Sequence, residues 1–417
     1  MNKNSSLRRF LNNIYGFSFF NALLLLAPVY TIFMQDCGMT EMELSISFIV
    51  WSVAVFTLQI PAAWLSEKIG QKNIIIIGQI FKAAAFTLWI LWPSFWGFCL
   101  GQFLWGVQGA IYNVAFEGMM YDELRARKHH KFYAKVLGRR KNISAIGSAL
   151  SASGSLLLFF GYEWITALSV LALGISTIFV ARIRIQHKPR VTKSKKNNSQ
   201  NFLKVFGTGA KIIRGTPCIF YMLLLTVLVG NFSYFNDYLS VIGVEVGLRK
   251  EFIGIVPFFI QGCQMIGNFF AHHFTHVRDR TLFTAVSVGG AIFVLFSIFY
   301  SVPALLLLGL AYVLFSIIKV LMYSRFQDFV PSTYRSVMLS IYSIADQIMY
   351  MSALLIIGLG GSMGSWRYSS LFLGMICVAI GIWAILFVKD RCAVGQNPNI
   401  RVVKTRQSTS SVSPSQF

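Results

Sequence analysis

The chain has 417 residues, of which 55% are hydrophobic and only 12% charged, with a mean hydropathy of +0.62. Soluble domains carry about 25% charged residues, so this composition excludes an ordinary water-soluble enzyme and fits a helical protein that crosses a membrane many times. An excess of 37 Lys and Arg over 15 Asp and Glu would point to nucleic acid in a soluble chain, but the placement of the bases gives it another meaning here.

A helix that crosses a bilayer needs about 20 mostly apolar residues. Apolar runs predict twelve such helices, near 10–34, 42–65, 74–92, 97–121, 142–160, 164–183, 217–242, 252–273, 282–300, 304–326, 336–358 and 368–388. The first run, Phe10 to Met34, is longer than a signal-peptide core and no small-x-small site follows it, so it is expected to be a retained helix. An even number of crossings puts both ends on one side. Of the 37 Lys and Arg, 32 fall in the loops and tails of that side, three (Arg249, Lys250, Arg367) fall opposite, and Lys82 and Lys319 lie inside helices. The bias predicts cytoplasmic termini. The basic charge is then topology, facing anionic lipid, and no nucleic-acid partner is expected.

Residues 182–215 carry ten bases and no acids and predict a cytoplasmic linker. It separates a first six-helix bundle, 1–181, from a second, 216–389; residues 390–417 read as a disordered cytoplasmic tail. The stretch FLKVFGTGAKII at the end of the linker is amphipathic enough to lie along the interface. The halves repeat: the first and seventh helices start 207 residues apart, as do the fourth and tenth. A parallel duplication of six helices is the plan of a transporter built from two bundles. The six cysteines have no metal-like spacing. The only disulfide that the predicted layout allows joins Cys37 and Cys99.

The second helix ends in PAAWLSEKIGQKN (61–73). Gly70 permits a tight reversal, and the lysines hold the loop on the basic side. This stretch resembles the loop between the second and third helices of the major facilitator superfamily: Lys68, Gly70 and Lys72 fit its pattern, while Ala63, Glu67 and Asn73 stand for its first Gly, its Asp and its last base. AFEGMMYDEL (115–124) followed by FYAKVLGRR (132–140) is similar to the end of the fourth helix in a bacterial branch with a Tyr-Asp pair. DFVPSTYRSVMLSIYS (328–343) is similar to the loop into the eleventh helix, with Pro331 and Arg335 in place. The resemblance covers about residues 10–390. It implies an all-α membrane protein of twelve transmembrane helices in two bundles related by a pseudo-twofold axis. It also implies gating latches, one of Glu67, Lys68, Gly70, Lys72 and Asp122, and a counterpart with Asp328 and Arg335. Two departures weaken a proton-antiport expectation. Gln102 stands where many proton-coupled members have Arg, and the fifth helix, NISAIGSALSASGS (142–155), lacks the Gly-Pro motif of the drug antiporters. Its Ser144, Gly147, Ser151 and Gly154 still form a small-residue packing face.

Ionisable residues inside a membrane are costly and mark cavities or partners. Lys82, Glu117, Asp237, Lys319 and Asp346 qualify. Asp237, Asp346 and Glu117 are candidates for proton coupling. Lys319, Asp237, Asn236, Gln261, Gln264, Asn113 and Tyr234 are candidates for substrate contact, with Tyr30 and Tyr112 as further aromatics. Lys82 is expected to snorkel or to pair with Glu117, and Lys319 with Asp346 either as a permanent ion pair or as one that opens on binding. Gln261, Gln264 and Asn268 share one face of the eighth helix. His272 and His273 read as interfacial, and Trp89, Trp92, Trp96 and Trp366 as an interface belt. No HExxH or Walker P-loop occurs, so no enzyme, metal or cofactor is expected. The expected function is secondary transport with a small-molecule substrate, protons and membrane lipids as partners, in a bacterial inner membrane. The resemblance to the bacterial branch favours export, and a buried Lys319 favours an anionic cargo: an anionic metabolite such as a siderophore, or a drug-like compound. Uptake of an amino acid or carboxylate, or a sensor that binds without transport, are the alternatives.

Overall fold

A computed structural model describes residues 3–129, 132–186, 217–329 and 335–387. The basic linker from 187 to 216, the tail from 388 and Pro331 lie outside them, as do the side chains of Asn231, Asp328 and Arg335. Over the described residues the chain is helical, without strands.

The first half consists of α1 (Lys3–Ala22), α2 (Tyr30–Asp36), α3 (Glu41–Ile69), α4 (Gln71–Leu91), α5 (Phe95–Ala126), α6 (Tyr133–Ser151) with a 3-10 continuation Ala152–Phe160, and α7 (Tyr162–Ala181). The second consists of α8 (Pro217–Gly230), a 3-10 turn Asn231–Tyr238, α9 (Leu239–Glu245), a 3-10 turn Lys250–Phe252, α10 (Ile255–Phe270), α11 (Asp279–Phe299), α12 (Leu305–Phe329), α13 (Arg335–Gly361) and α14 (Trp366–Phe387). Grouped as spans, these are the twelve crossings expected from hydropathy.

Nine described stretches are long and apolar enough to cross a bilayer. The first, fourth and seventh spans fall outside that set. The fourth, α5, carries Gln102, Gln108 and Asn113. The first and seventh are broken, which corrects the continuous helices expected at 10–34 and 217–242. Pro28 has no N–H to give and cannot continue a helix from α1; the chain turns over residues 23–29 before α2. The freed backbone finds other partners, as a membrane interior requires. Leu26 N–H donates to Ser169 Oγ at 2.9 Å, and Pro28 C=O accepts from Ser240 Oγ at 2.6 Å. The seventh span tightens to 3-10 geometry over Asn231–Tyr238, a sequence rich in Asn, Ser and Asp, whose side chains compete for backbone hydrogen bonds.

Helix pairing repeats between the halves. α3 packs on α5 as α10 does on α12, α4 on α5 as α11 on α12, α1 on α6 as α8 on α13, and α4 on α7 as α11 on α14. Small residues set the closest approaches. A Cβ on Gly147 would fall 2.6 Å from Phe19 O, and one on Gly154 would fall 1.9 Å from Leu25 O, so the small face of the fifth span is where the first span seats. The halves meet through α3 against α13, and at the end of the molecule away from the basic loops through α2 against α9 and Ala152–Phe160 against Lys250–Phe252. At that end Lys250 pairs with Asp36 at 2.6 Å, and Gly254 N–H donates to Ser155 Oγ at 3.1 Å.

Two expectations are corrected, for the tryptophans and for Lys82. Trp89 and Trp366 are core residues, 0% and 3% exposed, while Trp92 and Trp96 are exposed; Trp89 Nε1 donates to Phe98 O at 3.3 Å and its ring stacks on Tyr30. Cys37 and Cys99 are free thiols. Lys82 does not pair with Glu117. It is 4% exposed, with Nζ 3.4 Å from Asn21 Oδ1 and 5.8 Å from the Trp105 ring centroid, and Glu117 pairs with Arg140 at 3.1 Å instead.

Candidate functional site

Between the halves, at the level of the two helix breaks, lies a cavity of about 360 Å3. Its lining comes from five spans: Tyr30 of α2, Phe48 and Trp51 of α3, Gln102 and Trp105 of α5, Tyr234 and Asp237 of the 3-10 turn, and Asp346, Gln347 and Tyr350 of α13. Two carboxylates, two amides and six aromatic rings face one space, and among the described residues no Lys, Arg or His lines it.

Tyrosine hydroxyls hold both carboxylates. Tyr30 donates to Asp237 Oδ1 at 3.4 Å and Tyr350 to Asp237 Oδ2 at 3.1 Å. Tyr234 donates to Asp346 Oδ1 at 2.7 Å and reaches its carbonyl at 3.2 Å. The rings support one another. Tyr234 and Tyr350 meet edge to face with centroids 4.6 Å apart, Tyr30 meets Trp105 at 6.0 Å, and Trp51 meets Tyr350 at 6.2 Å. Below the rings, Gln347 Nε2 donates to Ser52 Oγ, and Ser45 and Tyr238 share a hydrogen bond of 2.6 Å. Two donors stand apart from this network: Trp51 Nε1 and Gln102 Nε2 are buried without a protein partner. An aromatic cage with net negative charge is the chemistry that holds an organic cation. Carboxylates at membrane depth are also the groups that carry protons through transporters.

Of the residues singled out from sequence, Asp237, Asp346, Tyr234 and Tyr30 line this cavity. Lys319 sits half-buried on α12 outside the lining, close enough for its charge and that of Asp346 to act on each other. Asn236 accepts from Gln264 at 3.2 Å, joining the seventh and eighth spans, while Gln261 and Asn268 are exposed away from the cavity. Asn113 is exposed, and Glu117 is 51% exposed in its pair with Arg140, which also donates to Tyr112 at 2.7 Å. His272 and His273 are exposed at the end of the eighth span.

The residues of the expected latch gather where α3, α4 and α5 end together. Gly70 has φ +88, a left-handed conformation that suits Gly. Lys72 donates to the carbonyls of Ala181 and Ile183 at 2.7 and 3.0 Å, closing the end of α7. Asp122 accepts from Gln71 Nε2 at 3.1 Å. Glu67 and Lys68 are exposed, Lys68 lying 3.8 Å over the Trp64 ring. In the second half Arg325 forms a bond to Asp279 and another to Val277 O, bracing the corresponding loop.

Phe48, Trp51, Trp105 and Tyr350 line the cavity without having been singled out. Helical spacing was a usable signal for two of them: Tyr350 lies four residues after Asp346 and Trp105 three after Gln102, so each shares a face with a polar residue. Phe48 and Trp51 lie on an apolar helix whose sequence does not distinguish them from lipid-facing neighbours.

Comparison with known proteins gives a consistent result. A family model described as the Major Facilitator Superfamily matches residues 12–347. Multidrug resistance protein MdtL of Klebsiella pneumoniae (strain 342) is 26% identical over 180 residues, a match that takes in 41% of this chain and 44% of that protein. The chain thus spans less than half the length of this curated relative. Among solved structures, the nucleoside transporter NupG aligns at a TM-score of 0.69 with 11% identity, covering 93% of this chain and 100% of that one. A D-xylose-proton symporter aligns at 0.68 with 11% identity, covering 93% and 98%. At such identities the structural likeness concerns the fold.

Proposed function

The chain belongs to the Major Facilitator Superfamily, and from that premise we propose that it exports small organic cations in exchange for protons by alternating access. The carrying observation is the lining itself: two carboxylates and six aromatic rings, with no basic side chain among the described residues. Lys319, on which the anionic expectation rests, is not part of that lining, and the proposal moves from an anionic cargo to a cationic one for that reason. Partial likeness to a multidrug resistance protein supports the outward direction.

In this reading Asp237 and Asp346 serve cargo and proton alternately. A bound cation favours the ionised carboxylates, and protonation removes the attraction and releases the cargo. The tyrosine hydroxyls orient each carboxylate without neutralising it. The contacts of Lys250–Asp36, Gly254–Ser155 and Ser240–Pro28 close the end opposite the basic loops. If those loops are cytoplasmic, as their charge favours, the cavity is in the state that receives cargo from the cytoplasm of a bacterial inner membrane. In the opposite state Glu67 and Lys68, with Asp328 and Arg335 as counterparts, close the basic side.

Flux in proteoliposomes tests this. With an acid interior, tetraethylammonium added outside accumulates as protons leave, protein-free vesicles take up none, and nigericin with equal potassium on both sides, which collapses the pH gradient without making a potential, abolishes the accumulation. An organic anion of equal size is excluded. Cation binding without flux favours a sensor. Co-movement of solute with protons favours uptake, and either result overturns the proposal.

A further inference from the structure

The lining leaves open how many positive charges the cargo carries, since two carboxylates, Asp237 and Asp346, would suit a dication. Lys82 bears on that number. It lies on α4 one helical turn beyond Gly78, where a Cβ would fall 3.3 Å from Ile111 of α5, so this face of α4 packs on the helix that carries Trp105. Lys82 is 4% exposed. Its Nζ is 3.4 Å from Asn21 Oδ1, an oxygen that also accepts from Gln79 Nε2 at 3.1 Å. Gln79 Oε1 in turn accepts from Ser176 at 3.4 Å. All these partners are neutral, and among the described residues no carboxylate pairs with Lys82. Lys319 differs, because Asp346 is close enough to act on its charge. Lys82 Nζ lies 5.8 Å from the ring centroid of Trp105, a residue of the cavity lining. A buried charge without a counter-ion exerts its field beyond its contacts, because low-dielectric walls focus it and salt screens it little.

We infer that Lys82 restricts the cargo to a single positive charge, through the field of its ammonium group and without touching the cargo. The inference rests on the cation reading above and narrows it to monovalent organic cations. A cation held on an aromatic ring lies within about 6 Å of the centroid, so a cargo on Trp105 lies within about 12 Å of Lys82 Nζ. At that distance, with an effective dielectric constant of about 20, the ammonium weakens binding about tenfold for each charge on the cargo. Asp237, held by the hydroxyls of Tyr30 and Tyr350, attracts the first charge. A second charge meets the repulsion of Lys82 again, while Asp346 is already acted on by Lys319.

The test uses the full-length protein in detergent and two rod-shaped aromatic probes. One is methyl viologen, a dication; the other is N-methyl-phenylpyridinium, a monocation in which phenyl replaces one pyridinium ring. Binding of both is measured by calorimetry to wild type, Lys82→Met and Lys82→Gln, and the thermal transition of each variant reports its folding. The readout is the ratio of the two affinities within one protein, which an inactive fraction does not alter and which a loss of packing shared by both probes does not move. Wild type is expected to prefer the monocation. In each variant both affinities should rise and the ratio should shift about tenfold toward the dication, because the dication is relieved of two repulsions and the monocation of one. Wild type binding the dication as tightly as the monocation overturns the inference and leaves the cation reading intact. A monocation preference that survives both substitutions also overturns it; the amine is then neutral or water in the cavity screens it. Binding of neither probe to wild type overturns the cation reading and this inference together.

Discussion

Tyr30 and Asp237 stand 207 residues apart in sequence and meet across the cavity, hydroxyl to carboxylate, at 3.4 Å. The same interval separates the starts of the first and seventh apolar runs, so the two residues occupy corresponding places in the two repeats. Each lies at a helix break. Residues 23–29, shifted by that interval, overlap the 3-10 turn Asn231–Tyr238. The repeat has kept the break in both halves and placed a donor at one copy and an acceptor at the other. A 3-10 stretch inside a helix is a frequent hinge, and here one faces the turn of residues 23–29 at the carboxylate.

Tyr30→Phe and Tyr350→Phe each remove one of the two hydroxyls that hold Asp237. A hydrogen bond to a charged group is worth about 1.5–3 kcal/mol. Each variant is expected to lose about tenfold in transport rate, or about 1.4 kcal/mol, and the double variant more than either. Initial flux rates in proteoliposomes measure this. Wild-type rates in both single variants would remove the hydroxyls from the mechanism.

Gly254 packs against the first half at the end opposite the basic loops. A Cβ there would fall 2.1 Å from Ala152 O and 2.8 Å from Ser155 Oγ. Gly254→Leu should hold that end apart, stop turnover, and leave each half folded. Labelling of a cysteine placed at Ser155 by a membrane-impermeant thiol reagent is expected to rise in the Gly254→Leu background.

Arg325 is 8% exposed and is bound to Asp279 and to Val277 O. Removing one partner of a buried pair leaves the other charge uncompensated and costs about 3 kcal/mol or more. Arg325→Ala should therefore lower the melting temperature in detergent markedly. Adding Asp279→Ala to it should recover part of the loss, since both charges are then gone.

Lys82 provides the contrast. It is nearly as buried, but its described contacts are the Asn21 carbonyl oxygen and the face of Trp105, neither of them a carboxylate. Lys82→Met keeps the length of the side chain and removes a charge that is costly at membrane depth. Its melting temperature should equal or exceed that of wild type. A fall as large as that of Arg325→Ala would mean that the ammonium is strongly paired.

The twelve crossings, their basic side and the twofold repeat are legible in the sequence, because a bilayer imposes about 20 apolar residues per crossing and a Lys/Arg bias on its loops. These are local constraints that a linear reading detects. Asp237, Asp346 and Tyr234 were legible as well, since polar groups in apolar runs are conspicuous. Sequence alone did not reveal the breaks in the first and seventh spans, the partnership of Glu117 with Arg140 in place of Lys82, or the absence of Lys319 from the cavity wall. Nor did it separate Trp89 in the core from Trp96 on the surface, although both sit at the end of an apolar run. Each of these depends on which helices become neighbours and how far each is rotated about its axis. The packing of small residues such as Gly106, Gly154 and Gly254 against distant backbone sets both. Hydropathy fixes how deep a residue lies in the membrane, and only the assembled bundle decides which way it faces.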